Sequence, residues 1–179
     1  YISLKLGEKN KEEAERMAAT GFFSSLVFGF LICIAGLIFI NPLLTALGST
    51  ETIRPYAKDY IFWLLLGAPY MTSALTLNNQ LRFQGNAFYA MIALVSGGVL
   101  NIALDALFVI ALNMGTGGAG LATAIGQLVS FVLLFVGVEV KGLVKIRPKN
   151  FTFKKLYLSN IARGGLPSLG RQSVAGIAN

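Results

Sequence analysis

Residues 18–40, AATGFFSSLVFGFLICIAGLIFI, hold no charged side chain over their whole length. At about 1.5 Å of helical rise per residue, a run of ~20 such residues crosses the roughly 30 Å hydrocarbon layer of a bilayer. The same poverty of charge recurs on either side. Met17 to Ile53 contain only Glu51, Tyr60 to Leu81 contain none, and Phe83 to Val138 contain only Asp105. The 179-residue chain is 55% hydrophobic and 13% charged, with a mean hydropathy of +0.67. That charge content is about half of what a soluble domain carries. These features predict an all-α polytopic membrane helix bundle.

Four spans are expected, at approximately 18–40, 56–80, 86–112 and 119–140. Lys11 to Arg16 read as a charged opening turn or two at the water interface, and Asn41-Pro42 mark the far end of the first span. Pro55 suits the first turn of the second span, and Pro69 inside it frees a backbone carbonyl that neighbouring helices must satisfy. Asn113 to Gly120 read as a tight glycine-rich connection, so the third and fourth spans are antiparallel neighbours. Residues 144–157 form a basic loop, and 158–179 begin a further hydrophobic segment containing Pro167. The chain opens on Tyr1 and stops inside that segment, so a piece of a longer protein is expected. Residues 1–16 are polar and mixed in charge and do not read as a signal peptide.

The basic residues set the orientation. Lys5, Lys9, Lys11 and Arg16, then Arg82, then Lys141, Lys145, Arg147, Lys149, Lys154 and Lys155 fall in alternate loops, whereas the opposite loops carry only Arg54 and Lys58. This positive-inside pattern predicts that Tyr1 and the 144–157 loop are cytoplasmic. The net charge of +7 is thus a topology signal spread over short loops, and no nucleic-acid partner is expected. Membrane lipid is the expected surrounding.

Asp105 is the only ionisable side chain between Arg82 and Glu139. It lies roughly six residues past the centre of its helix, about 9 Å toward the outer face by helical rise. A carboxylate there is costly unless hydrated, paired or protonated. Asn101 is four residues earlier and shares its face. Together they offer a carboxylate and an amide carbonyl to a hard cation, or a carboxyl that takes up a proton reversibly. The bland alternative is that the pair only joins neighbouring helices. Thr123 and Gln127 form a second polar pair across the short connection, at depths close to Asp105 and Asn101 respectively.

Asn78, Asn79 and Gln80 with Arg82 form another polar group, read either as interface anchoring or as part of an inner gate. Cys33 is a lone thiol within a span and reads as packing. With no His and one Cys, a zinc or transition-metal site has almost nothing to be built from. The 115–120 glycines lack a following lysine, so they are not a phosphate loop.

Three stretches in order, Asn79-Gln-Leu-Arg-Phe-Gln-Gly-Asn86, Leu100-Asn-Ile-Ala-Leu-Asp-Ala-Leu-Phe108 and Met114-Gly-Thr-Gly-Gly-Ala-Gly-Leu-Ala-Thr-Ala-Ile-Gly-Gln127, resemble the multidrug and toxic compound extrusion (MATE) family of bacterial efflux transporters. Ile2 to Ala14 and the later Gly165-Leu-Pro-Ser168 extend the resemblance over essentially the whole chain. The resemblance implies twelve helices in two six-helix lobes around a cavity, with this chain supplying helices three to six of the N-terminal lobe and the start of helix seven. It also implies export of varied, often cationic drugs across the bacterial inner membrane, driven by Na⁺ or H⁺ running inward, with no cofactor beyond Na⁺ as a coupling ion. Carried over residue by residue, the family's ion-binding Asn, Asp and Thr match Asn101, Asp105 and Thr123. Ala106 departs from the family's usual Pro after the Asp, and a straighter helix is expected there. A lipid-linked precursor flippase of related architecture and an inactive structural fragment are the rival readings.

Overall fold

A computed structural model describes residues 2–152 and Ser159. Among these residues the chain forms α1 (Ile2–Gly7), α2 (Lys11–Ile38), α3 (Ile40–Ala46), α4 (Arg54–Phe83), α5 (Ala87–Asp105) and α6 (Gly115–Lys141). A π-helical segment, Ala106–Ala111, continues α5, and a 3-10 turn, Pro148–Asn150, follows α6. α2, α4, α5 with its π segment, and α6 are each long and apolar enough to cross a membrane.

The helix ends have local causes. The Asn10 side chain accepts the Glu13 N–H and caps α2, whose first turn carries Glu12 and Glu13 toward the positive end of the helix dipole. At the other end Pro42 has no N–H for the carbonyl of Ile38, and its ring crowds that group. The chain therefore breaks at Phe39 and restarts as α3. The first span is accordingly shifted toward the N-terminus relative to 18–40.

α4 runs unbroken through Pro69. The Thr72 hydroxyl lies 2.9 Å from the Ala68 carbonyl, 3.1 Å from that of Pro69 and 2.9 Å from that of Ser25 on α2. Ser73 donates to the Pro69 carbonyl at 2.7 Å. Hydroxyls thus line the turn after the proline and tie α2 to α4.

α6 begins at Gly115 and takes in glycines expected to lie in the connection. Packing explains the difference. A Cβ at Gly120 would sit 2.8 Å from the carbonyl oxygen of Tyr60, so the glycine lets α6 lie against the backbone of α4. The reversal itself is shorter, built on left-handed Asn113 (φ 52°) and Gly115 (φ 59°).

The helices pack in the order α2, α4, α6, α5, with α4 also touching α5. α4 and α6 are the inner pair, with 39% of their most apolar stretch buried, against 17% for α2 and 11% for α5. The main core joins Phe22, Ala74, Leu77, Leu81, Ala90, Ala93, Leu134, Val138 and Ile146. It lies toward the basic end, where α4 stops and α6 finishes.

Ile146 belongs to the stretch after α6, which folds back over that end as a strap. The Val144 N–H donates to Gln84 Oε1 at 2.9 Å and the Ile146 N–H to Glu139 Oε1 at 3.3 Å. Asn150 Nδ2 donates to Glu15 Oε2 at 3.2 Å, and the Thr20 hydroxyl lies 3.4 Å from both the N and the O of Thr152. The rings of Phe151 and Phe23 meet edge to face. The described part of the basic loop is therefore seated on α2, α4 and α6. Lys154, Lys155 and, apart from Ser159, the segment expected at 158–179 lie outside the described residues.

Candidate functional site

Two glycines set the register of α5 against α6. A Cβ at Gly126 would lie 2.7 Å from the Gly97 carbonyl oxygen and 2.9 Å from Asn101 Cβ. One at Gly97 would overlap the Gly126 carbonyl and the Ser130 hydroxyl. The two backbones touch at this point, as small residues permit in a membrane bundle. One turn farther toward the reversal, Asn101 faces Thr123, and Asn101 Nδ2 donates to Thr123 Oγ1 at 3.4 Å.

The Thr123 hydroxyl donates in turn to its own i−4 carbonyl, Ala119, at 3.0 Å. Its hydrogen is thereby committed, and its lone pairs face the Asn101 side. The Asn101 amide nitrogen is occupied by Thr123, which leaves the amide oxygen as the free end of that side chain.

Asp105 is one further turn along, at the last residue of α5. Its Oδ1 is buried and has no hydrogen-bond partner among the described residues. At the next residue the helix changes to π geometry, with the Leu112 N–H reaching back five residues to the Leu107 carbonyl at 2.9 Å. Ala106, standing where the family usually has Pro, is the first residue of this π segment. Single π turns of this kind recur at functional sites, where they shift the facing of the residues beyond them.

The remaining candidates separate. Gln127 is half-buried and makes no side-chain hydrogen bond among the described residues. Asn78 is buried and donates to the Ala90 carbonyl of α5 at 3.4 Å, which joins two helices. Asn79 and Arg82 are exposed at the basic end of α4. The structure thus brings Asn101 and Thr123 into contact with Asp105 next in line, and it leaves Asn78, Asn79 and Arg82 on another part of α4.

Sequence reasoning missed the residues that position this group. Gly97 and Gly126 stand four and three residues from Asn101 and Thr123, a spacing visible in the sequence. Tyr70 of α4 donates its hydroxyl to the Ala124 carbonyl at 2.8 Å, next to Thr123. No periodicity announces that contact.

A bundle of four membrane-length helices is the architecture of a polytopic membrane protein. The MatE family model matches residues 1–107, and the chain belongs to that family, whose members are transporters and not enzymes. The multidrug export protein MepA of Staphylococcus haemolyticus (strain JCSC1435) is 25% identical over 169 residues, covering 94% of this chain and 37% of that protein. The outward-facing structure of a multidrug resistance MATE family transporter of the MOP superfamily is 33% identical with a TM-score of 0.90, covering 99% of this chain and 40% of that one. The inward-facing structure of such a transporter is 33% identical with a TM-score of 0.86, covering 93% and 38%. The chain therefore spans about two fifths of the length of these relatives and corresponds to their N-terminal lobe.

Proposed function

We propose that the protein carrying this chain is a secondary active exporter of drugs and other toxic organic compounds, working by alternating access in antiport with H⁺ or Na⁺. Asp105, Asn101 and Thr123 hold the coupling ion, and Gln127 borders the same space. The observation that carries this reading is the buried, unpartnered Oδ1 of Asp105, one helical turn from the Asn101–Thr123 contact.

The group fits the task chemically. A carboxylate, an amide oxygen and a hydroxyl oxygen are hard donors that suit Na⁺ as transported substrate, and the same carboxylate accepts a proton. Ion uptake removes the cost of an unpaired carboxylate at membrane depth. It therefore favours whichever packing of α5 and α6 buries Asp105 most fully. Drug binding favours the opposite packing, and antiport requires such opposed preferences on one conformational equilibrium. One elementary charge moving through 100 mV supplies about 2.3 kcal/mol, enough for a modest drug gradient per ion. The likeness of this chain to both outward- and inward-facing relatives supports alternating access.

The protein lies in a bacterial cell membrane, with Tyr1 and the basic strap on the cytoplasmic side. That orientation rests on the alternation of Lys and Arg among the loops. Asn79 and Arg82 then sit at the cytoplasmic mouth, where a closing role at the inner gate is open to them.

Drug efflux by the intact protein with Asp105→Asn, measured against imposed Na⁺ and pH gradients, tests the proposal. Gradient-driven efflux is expected to fall at least tenfold while the protein still folds, because the amide can neither release a proton nor balance a cation's charge. Unchanged efflux under both gradients assigns Asp105 a structural role. Transport of a lipid-linked sugar in place of drugs favours the flippase.

A further inference from the structure

We propose that the strap over the basic end, with the helix ends beside it, is a docking surface for the phosphate headgroups of anionic phospholipid. The charges at this end are sorted. On the α1–α2 side all but the exposed Lys9 are paired within the chain: Lys5 meets Glu8 at 2.8 Å and Glu13 at 3.4 Å, Arg16 meets Glu12 at 2.7 Å, and Lys11 meets Glu15 at 3.9 Å. The hydrogen bond that Lys5 Nζ donates to Glu8, with Glu13 behind it, raises the pKa of the Lys5 ammonium above its usual value.

On the strap side the cations are left open. Arg82, Lys141, Lys145, Arg147 and Lys149 make no ion pair among the described residues, and all but the half-buried Lys145 are exposed. The nearby carboxylates are already engaged, Glu139 by the Ile146 N–H and Glu15 by Asn150 and Lys11. No carboxylate among the described residues lies within ion-pair distance of these five cations.

The neighbours of these cations identify the occupant. Phe83, Val140 and Leu143 are 56%, 70% and 56% exposed, and each adjoins a basic residue or is one step from it. A soluble anion or a nucleic acid would leave those side chains in water, whereas a phospholipid places phosphate on the cations and acyl chain on the apolar groups. Juxtamembrane clusters of Lys and Arg draw anionic lipid in this way. Here the cluster is also held in place, because Gln84, Glu139 and Thr20 bond the strap backbone and Glu15 the Asn150 side chain. Little ordering cost therefore remains for binding.

The test uses the intact protein in nonionic detergent, with the thermal unfolding midpoint read during titration with short-chain phosphatidylglycerol, phosphatidylcholine or inorganic phosphate. Phosphatidylglycerol should raise the midpoint, and phosphatidylcholine and phosphate should not. At about 0.5 M salt the rise should shrink, since exposed charges are then screened beyond a few ångströms. The double variant Arg147→Gln/Lys149→Gln should bind phosphatidylglycerol on the order of fivefold more weakly per charge removed, and Lys149→Arg alone should leave binding unchanged. An equal response to phosphatidylcholine, to phosphate alone, at high salt or in the double variant would overturn the proposal. Where the double variant does not fold, the lipid comparison and the salt series on the unaltered protein decide the matter.

Discussion

The two ends of the bundle handle backbone and polar groups in opposite ways. At the basic end, side chains from α2, α4 and α6 satisfy the backbone of the strap, and Val144 and Ile146 seal the core beneath it. At the reversal end, α5 departs from α geometry just where Asp105 carries an unpartnered oxygen. A buried polar group left without a partner is costly, and among the described residues both ends hold some, Gln80 Oε1 and Gln84 Nε2 at the basic end and Asp105 Oδ1 at the reversal end; only at the reversal end does one sit beside a change of helix geometry, which makes that the slack end. The strap end is fastened by side-chain hydrogen bonds, whereas the reversal end carries the π segment.

That contrast can be broken most severely between the two ends. Gly97→Leu would drive a branched side chain into the Gly126 carbonyl and Ser130, and α5 and α6 cannot separate without losing the Asn101–Thr123 contact. Overpacking of this kind costs typically 1–3 kcal/mol, and more is expected where backbone is struck. The check is the thermal midpoint together with loss of a cysteine cross-link engineered between positions 101 and 123.

Gln84→Leu sharpens the contrast by loosening only the basic end. The buried Val144 N–H loses its acceptor, at a cost of about 1–2 kcal/mol, reduced because Gln84 Nε2 is itself without a partner among the described residues. Hydrogen exchange should quicken around residues 142–146 and stay unchanged around Asn101. Equal quickening at both ends would show that they are not independent.

The smallest effect is expected from Thr123→Val. It removes one interhelical hydrogen bond at the slack end, and such bonds average about 0.6 kcal/mol in a membrane bundle. Stability should hardly move, while Na⁺- or H⁺-dependence of efflux should weaken. A stability loss above about 2 kcal/mol would mean that this end is as tightly built as the other.

Legibility in the sequence followed the same division. Charge-free runs gave the membrane-length helices, because hydrocarbon excludes charge so strongly that little else can interrupt them. The short reversal made Thr123 readable as a neighbour of the Asn101 and Asp105 face only to within a turn: depth counting set it level with Asp105 and Gln127 level with Asn101, whereas it is Thr123 that meets Asn101. The π segment was not readable: ALFVIA is as apolar as a regular helix, and the change depends on how α5 meets its surroundings. The strap was hidden for a different reason. Its Lys and Arg mark it as solvated, while its fastening depends on Gln84, Glu139, Glu15 and Thr20, side chains far away or on other helices. The break at Phe39 lay between these cases, since Pro42 was visible but its consequence for the carbonyl of Ile38 fixed the boundary only in three dimensions.

The reversal at Asn113 and Gly115 bears on how the protein is made. Two apolar helices joined by so few residues, and already complementary at Gly97 and Gly126, can leave the ribosome and enter the bilayer as a finished hairpin. Biogenesis can then proceed with α5 and α6 as a unit, the carboxylate of Asp105 carried across beside its polar neighbours instead of meeting lipid alone.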